Sequence, residues 1–208
     1  MTASAQEFFD GFTSGGSDYF ARAGTVRRAL KRWHVAKPTR WVAWLMLNPS
    51  TARKDRNDQT TLRLTHFTKA WGYDGWIAVN CYPFVSSTPE AMWQRANWQA
   101  NGPDWEARDD MQANLRDIEE AGRMAALRMV AFGAQPAVRD ETWLEMCLEA
   151  FGQRANAPDA DEHFYCLGTN ATGQPLHPMA RGRMRVSDAA IAVRWRRDDG
   201  ASRIRSHP

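Results

Sequence analysis

The sequence predicts an α/β fold: three α/β/α layers around a central, mainly parallel, four-stranded sheet. Three observations predict it. Four short apolar runs, at 41–48, 76–80, 127–132 and 163–167, have the composition of buried strands. Segments with helix signals separate them, and strands alternating with helices call for parallel pairing with helices on both faces. The 208 residues, 43% hydrophobic and 25% charged, suffice for one good-sized domain with its own core.

Residues 1–24 are polar and rich in Gly and Ser around 13–17, which predicts a short helix or a loose arm. Residues 25–36 read as an edge strand or a helix; Val26 and Leu30 alternating with Arg28 and Arg32 favour a strand at the sheet edge, which Pro38 stops. Together they make an N-terminal arm and edge element over 1–40, ahead of a core domain over 41–185 and a basic tail over 186–208. The run from Val42 to Leu47 has no charge, Gly or Pro, so it reads as a strand buried on both faces. Pro49 cannot donate to a sheet ladder and ends it.

Asp58 is an N-cap for a helix over 59–71, with Leu62, Phe67, Ala70 and Trp71 as its apolar members and Gly72 as its stop. The second strand ends in Asn80. Residues 88–101 form a helix or an irregular stretch, and a long helix over 103–121 opens with acidic residues, as the helix dipole prefers. The third strand closes at Gly133. A helix over 136–150 puts Val138, Trp143, Leu144, Cys147 and Leu148 on one side. The fourth strand leads through a Gly-rich loop to His177-Pro178. There is no internal repeat, Gly-x-Gly-x-x-Gly, P-loop or zinc-helix motif.

Composition narrows the function classes. No apolar run approaches membrane-span length, so no membrane partner is expected. The N-terminus lacks the basic-then-apolar pattern of a leader. The three cysteines, Cys81, Cys147 and Cys166, have no C-x-x-C spacing, which predicts reduced thiols, a cytoplasmic setting and no zinc site. The histidines show no metal spacing either, so neither metal nor cofactor is expected. Net charge is only +3, but Arg and Lys gather at 22–40, 53–63 and 181–205, and acidic residues at 104–120 and 140–162. A basic face opposite an acidic one suits a polyanion, although both also serve as ordinary solvated surface.

If the strands run parallel, Asn48-Pro49-Ser50, Asn80, Gly133 and His177 share one sheet edge, where open α/β sheets bind ligands. An Asn carboxamide offers both donors and an acceptor and can read the edge of a planar base. A His can donate to a developing anion or exchange a proton. Asp58 is the acid nearest that edge and serves equally as general base or helix cap. Asn48, Asp58 and His177 are therefore the catalytic candidates. Pro49, Ser50, Thr51, Thr60, Asn80, Tyr82, Phe84 and Gly133 are the candidates for base or ligand contact. Arg53, Lys54, Arg181 and Arg183 suit phosphates by charge. Structural readings compete: Asn48 as turn former, Asn80 satisfying strand-end groups, and Tyr82 and Phe84 covering the sheet.

The stretches Leu47-Asn-Pro-Ser-Thr-Ala52, Trp71-Gly-Tyr-Asp-Gly75 with Asn80, and Gly173-Gln-Pro-Leu-His-Pro178 closely resemble a bacterial and phage family of unknown function. That family is marked by an LNPSTA motif and a terminal G-x-P-x-H-P motif, and Asp58 and Thr60 belong to its pattern. The order of motifs is more distantly similar to the uracil-DNA glycosylase superfamily. That resemblance implies a uracil-DNA-glycosylase-like fold with Asn48 handling water and Asn80 reading the base. It implies His177 as stabiliser of the leaving base, Phe132-Gly133-Ala134 as a third motif, and residues 179–182 as a DNA-intercalating loop. The expected function is that of a nucleobase-, nucleotide- or DNA-directed protein, in catalytic form a metal-independent N-glycosylase-like hydrolase. A non-catalytic module that sequesters a nucleotide or recognises a modified base is the alternative, and a protein-interaction domain the third.

Overall fold

The computed structural model describes residues 16–21, 24–50, 57–86, 88, 90–94, 96, 105–133, 140–153 and 163–196. Seven strands form one mixed sheet: β1 (Gly16–Ala21), β2 (Val26–Trp33), β3 (Trp41–Met46), β4 (Gly75–Asn80), β5 (Ala125–Val130), β6 (Phe164–Cys166) and β7 (Val193–Arg194). Their order is β1-β2-β4-β3-β5-β6-β7. Three helices are α1 (Gln59–Ala70), α2 (Trp105–Met124) and α3 (Glu141–Phe151), and residues 90–94, within the helix or irregular stretch expected over 88–101, are also helical.

The four apolar runs are β3 to β6, and the three pairings among them are all parallel. They make the centre of the sheet rather than the whole of it. Antiparallel strands, which need no crossover helix, extend it on both sides. The expected four-stranded sheet is thus corrected to a mixed, seven-stranded one. Part of the arm expected over 1–24 is β1, and the edge strand expected over 25–36 is β2, enclosed between β1 and β4. Residues 1–15 lie outside the described residues.

Every residue of β3, β4 and β5 is buried, as strands covered on both faces require. On one face Trp44, Trp76, Leu64 and Phe67 join α1 to the sheet. On the other, Leu45, Val79, Ile118, Leu144 and Phe151 join α2 and α3 to it. Asp58 caps α1 through a reciprocal capping box with Thr61, and Gly72 follows its end at φ +74°. The buried stripe of α1 is Thr61, Leu64, Thr65, Phe67 and Thr68, not the expected one through Leu62 and Ala70. Two of the threonines on this face meet polar partners: Trp76 Nε1 donates to Thr65 Oγ1 at 2.9 Å, and Thr61 Oγ1 donates to the Asp58 carbonyl at 2.8 Å. The third helix begins at its N-cap Asp140 rather than at 136, and Val138 lies outside the described residues.

From β3 the chain passes through α1 to β4 on one side, then through α2 to β5 on the other side of β3. Strand order therefore reverses at β3, which opens a crevice beyond its carboxyl end. The segment after His177 returns over α1. Arg63 Nη2 donates to the Val186 carbonyl at 2.7 Å, His66 Nε2 meets the Asp188 carbonyl at 2.9 Å, and Trp71 Nε1 donates to the Ala190 carbonyl at 3.1 Å.

Candidate functional site

The crevice is built from the turn after β3. Cys81 and Tyr82 N–H donate to the Met46 and Leu47 carbonyls at 2.8 and 2.9 Å, which locks the ends of β3 and β4 together. Asn48 Nδ2 donates to the Ser86 carbonyl at 3.0 Å and reaches the Pro49 carbonyl at 3.4 Å. Its amide nitrogen therefore secures the turn, as the structural reading of Asn48 has it. Pro49 is buried and its carbonyl accepts from Ser86 N–H at 3.3 Å. Ser50 is half-buried and its carbonyl accepts from Arg27 Nη1 at 3.2 Å.

Arg27 joins the candidate site, and the sequence reading missed it. It is 4% exposed, and burial pulls its guanidinium down to about 10 while the Asp58 carboxylate opposes that shift. A β-bulge puts it there. The register between β1 and β2 slips at Tyr19/Phe20, so that Arg28 has no partner opposite it. Arg28 consequently turns to Asp117 on α2, at 2.8 Å, while Arg27 reaches the crevice. Strict alternation along 26–32 cannot reveal this, because the bulge also sends Val26 and Leu30 to opposite faces.

His177 enters from the far side on a stiff loop. Asn170 Oδ1 accepts from Thr172 N–H, Thr172 Oγ1 and Gln174 N–H at 3.0, 2.8 and 2.9 Å. Leu176 N–H closes the loop on the Gly168 carbonyl at 2.9 Å, and Trp195 Nε1 pins the Gly173 carbonyl at 3.0 Å. Met179 N–H donates to His177 Nδ1 at 3.0 Å. Nδ1 is thus an acceptor, and the neutral ring carries its proton on Nε2. Burial pushes the imidazole down to about 4, only partly countered by Asp58. At neutral pH this is an uncharged Nε2–H donor within the field of a carboxylate.

Asp58 is therefore central: it acts on both His177 and Arg27 while its Oδ1 accepts from Thr61 N–H at 2.8 Å. Thr60 sits half-buried in the same first turn. Asn80 pairs in register with Met46 on the sheet face that α1 covers. It is 1% exposed, and its Nδ2 has no hydrogen-bond partner among the described residues. Gly133 continues from β5 with φ +87°, a conformation that favours glycine. Among the described residues a Cβ there would meet nothing within 4 Å, so conformation rather than crowding selects the residue.

Other candidates fall elsewhere. Tyr82 and Phe84 are 2% and 0% exposed in the core on the α2 side, with Tyr82 edge-on to Trp93. Neither offers a free ring face to a base; both cover the sheet. Thr51, Arg53, Lys54 and Ala134 lie outside the described residues. Arg181 and Arg183 are exposed beside a 3-10 turn at Gly182–Met184. Among the described residues no group of His, Cys, Asp or Glu could hold a metal ion, and no helix is long and apolar enough to cross a membrane. The three thiols are free and buried.

Residues 27–179 match the family model described as "Protein of unknown function (DUF1643)", and the chain belongs to that family. The match begins at Arg27 and ends two residues past His177, so it encloses the crevice. No curated protein and no solved structure matches the chain significantly.

Proposed function

We propose that this DUF1643 protein binds a nucleobase, within a nucleotide or DNA, at the carboxyl edge of its sheet and cleaves the bond joining base to sugar. The observation that carries the reading is His177: a neutral imidazole with its proton fixed on Nε2, beside the Asp58 carboxylate. Such a pair suits a bond that breaks heterolytically. Water attacks the anomeric carbon, the base leaves with the bonding electrons, and Nε2–H donates to the developing anion. Asp58 orients the water and accepts its proton. Asn80 supplies an amide donor, without a partner among the described residues, that would read the base. An anionic leaving group stabilised in this way needs only donors, and a base within a duplex would first have to be extruded. The likeness of motif order to uracil-DNA glycosylases supports the same assignment.

The second reading is a non-catalytic nucleotide or modified-base binder. Asn48 favours it, because its amide nitrogen is committed to the Ser86 and Pro49 carbonyls rather than to a water. One experiment separates the two. Pure protein is incubated with DNAs containing uracil, hypoxanthine, hydroxymethyluracil or mismatched thymine, and with free nucleotides. Released base is read by mass spectrometry and bound ligand by thermal shift. Release that disappears in His177→Ala and Asn80→Ala supports the hydrolase. Stabilisation by a ligand without product supports the binder, and neither signal across the panel overturns both.

A further inference from the structure

A groove of about 450 Å³ runs from Pro178 between the first turns of α1 and the 179–188 segment. It begins next to His177, and its lining carries three guanidinium groups, Arg63, Arg181 and Arg185, against one carboxylate, Asp188. That carboxylate is already engaged by Arg63. Among the described residues, Arg181, Arg183 and Arg185 have no ion-pair partner, and all three are exposed. The 3-10 turn gathers these three arginines within five residues, with Gly182 at φ +62° allowing the bend. Like charge accumulates here rather than cancelling: Arg185 adds to burial in depressing Arg63. The acidic helix α2 packs on the opposite face of the sheet and does not offset it.

Unpaired arginines concentrated along a groove are costly to the free protein through mutual repulsion, and a phosphate relieves that repulsion with charge-assisted, forked hydrogen bonds. We propose that this groove is the phosphate-binding arm of the site, taking the phosphate ester of the ligand whose base lies at His177. The inference rests on the base-directed reading of that edge and narrows its ligand class: a free base or an unphosphorylated nucleoside does not fill the site. Arg63 and Arg185 hold the phosphate nearest α1, and Arg181 holds it at the mouth. The same chemistry is offered by a mononucleotide and by the phosphodiesters of a nucleic-acid strand.

The test compares wild type with the double variant R181Q/R185Q. Both side chains are exposed and Arg63, which braces the strap, is kept, so the melting temperature serves as the control for folding. Binding of a fluorescein-labelled single-stranded oligodeoxynucleotide is measured by anisotropy against salt, with mononucleotides, ribose 5-phosphate and inorganic phosphate as competitors. The expected result is an affinity for the oligonucleotide at least tenfold weaker in the variant. Its salt dependence should be shallower by about 0.7 for each phosphate that the variant no longer neutralises. Loss of mononucleotide competition alone also upholds the groove and names a nucleotide as the source. Equal affinity, equal salt slope and unchanged mononucleotide competition in both proteins, or no binding of any phosphate ester by wild type, overturns it. His177→Ala keeps the two readings apart. Arginine-dependent binding that is indifferent to base identity and to His177 upholds the groove while sinking the base-directed site.

Discussion

A histidine whose folded pKa lies below that of the unfolded chain makes stability depend on pH in a fixed direction. His177 drops from the ordinary 6.5 to about 4. Between these values the unfolded chain binds a proton that the folded one refuses, so stability is complete above about pH 6.5 and falls as pH falls towards 4. For a half-buried ring the loss is on the order of 2 kcal/mol. His177→Asn offers Met179 N–H an acceptor in the place of Nδ1 without a titrating group. Urea midpoints of wild type should fall from pH 7 to pH 4.5 more steeply than those of the variant; parallel curves would remove the burial argument. Asp58 separates into cap and charge in the same way. Asn caps as well as Asp, whereas Ala does not. Asp58→Ala should therefore be about 1 kcal/mol less stable than Asp58→Asn, roughly 2–4 °C in Tm, while both lose whatever depends on the carboxylate. His177 and Asp58 were legible because each lies in a short linear motif beside a Pro or a helix start. Arg27 was not, because a bulge that depends on the β1 partner decides which way it points.

Elements meet where glycine permits it, and two crossings decide the packing. Gly122 lies within α2, where a glycine costs up to about 1 kcal/mol in helix propensity. A Cβ there would fall 2.2 Å from the Phe151 carbonyl oxygen at the end of α3. The cost in propensity is offset by the close approach of the two helices. Gly75, which opens β4, is similar: a Cβ would sit 2.6 Å from the Arg32 carbonyl and 2.9 Å from Trp33 Cβ. Backbone cannot step aside as a side chain can. Gly122→Ala and Gly75→Ala should each destabilise by about 1–3 kcal/mol in chemical denaturation, whereas alanine at an exposed helix position should be neutral or stabilising. A Gly122→Ala protein as stable as wild type would mean that α2 and α3 are farther apart than described. The parallel centre was legible because burial on both faces leaves uninterrupted apolar runs. Two of the added strands were not: β1 is Gly-Ser-Asp-Tyr-Phe-Ala and β7 is two residues long. Both owe their structure to the neighbour they pair with, not to any pattern of their own. The threonine stripe of α1 escaped for a related reason, since the Thr65 hydroxyl is buried where Trp76 Nε1 is there to meet it.

Across the whole molecule the two edges of the sheet carry different loads. The carboxyl edge holds the exposed arginines of the 181–185 turn, the neutral imidazole and the Asn80 amide. The amino edge is held by Arg128, which is fully buried in β5. Its Nε donates to the Gly122 carbonyl at 3.0 Å, in the last turn of α2, and its Nη2 to the Gln153 carbonyl at 2.6 Å, just past α3. Two helix C-termini thus lend their partial negative charge and free carbonyls to one cation. Arg128→Met fills similar volume but orphans both carbonyls, at about 1–3 kcal/mol for each buried group. The expected loss is about 3 kcal/mol, or roughly 6–12 °C in Tm for a chain of this size. Arg128→Lys should recover only part, because one ammonium cannot span two helix ends as a planar fork does. Ligand binding measured well below the melting temperature should stay unchanged in both variants, because the Gly122 and Gln153 carbonyls that Arg128 holds lie at the edge away from the crevice. A variant that keeps wild-type stability would show that the helix ends are satisfied otherwise. One that is folded yet no longer binds would show that the two edges are coupled through β5, and that the crevice depends on strand position as well as on its own side chains.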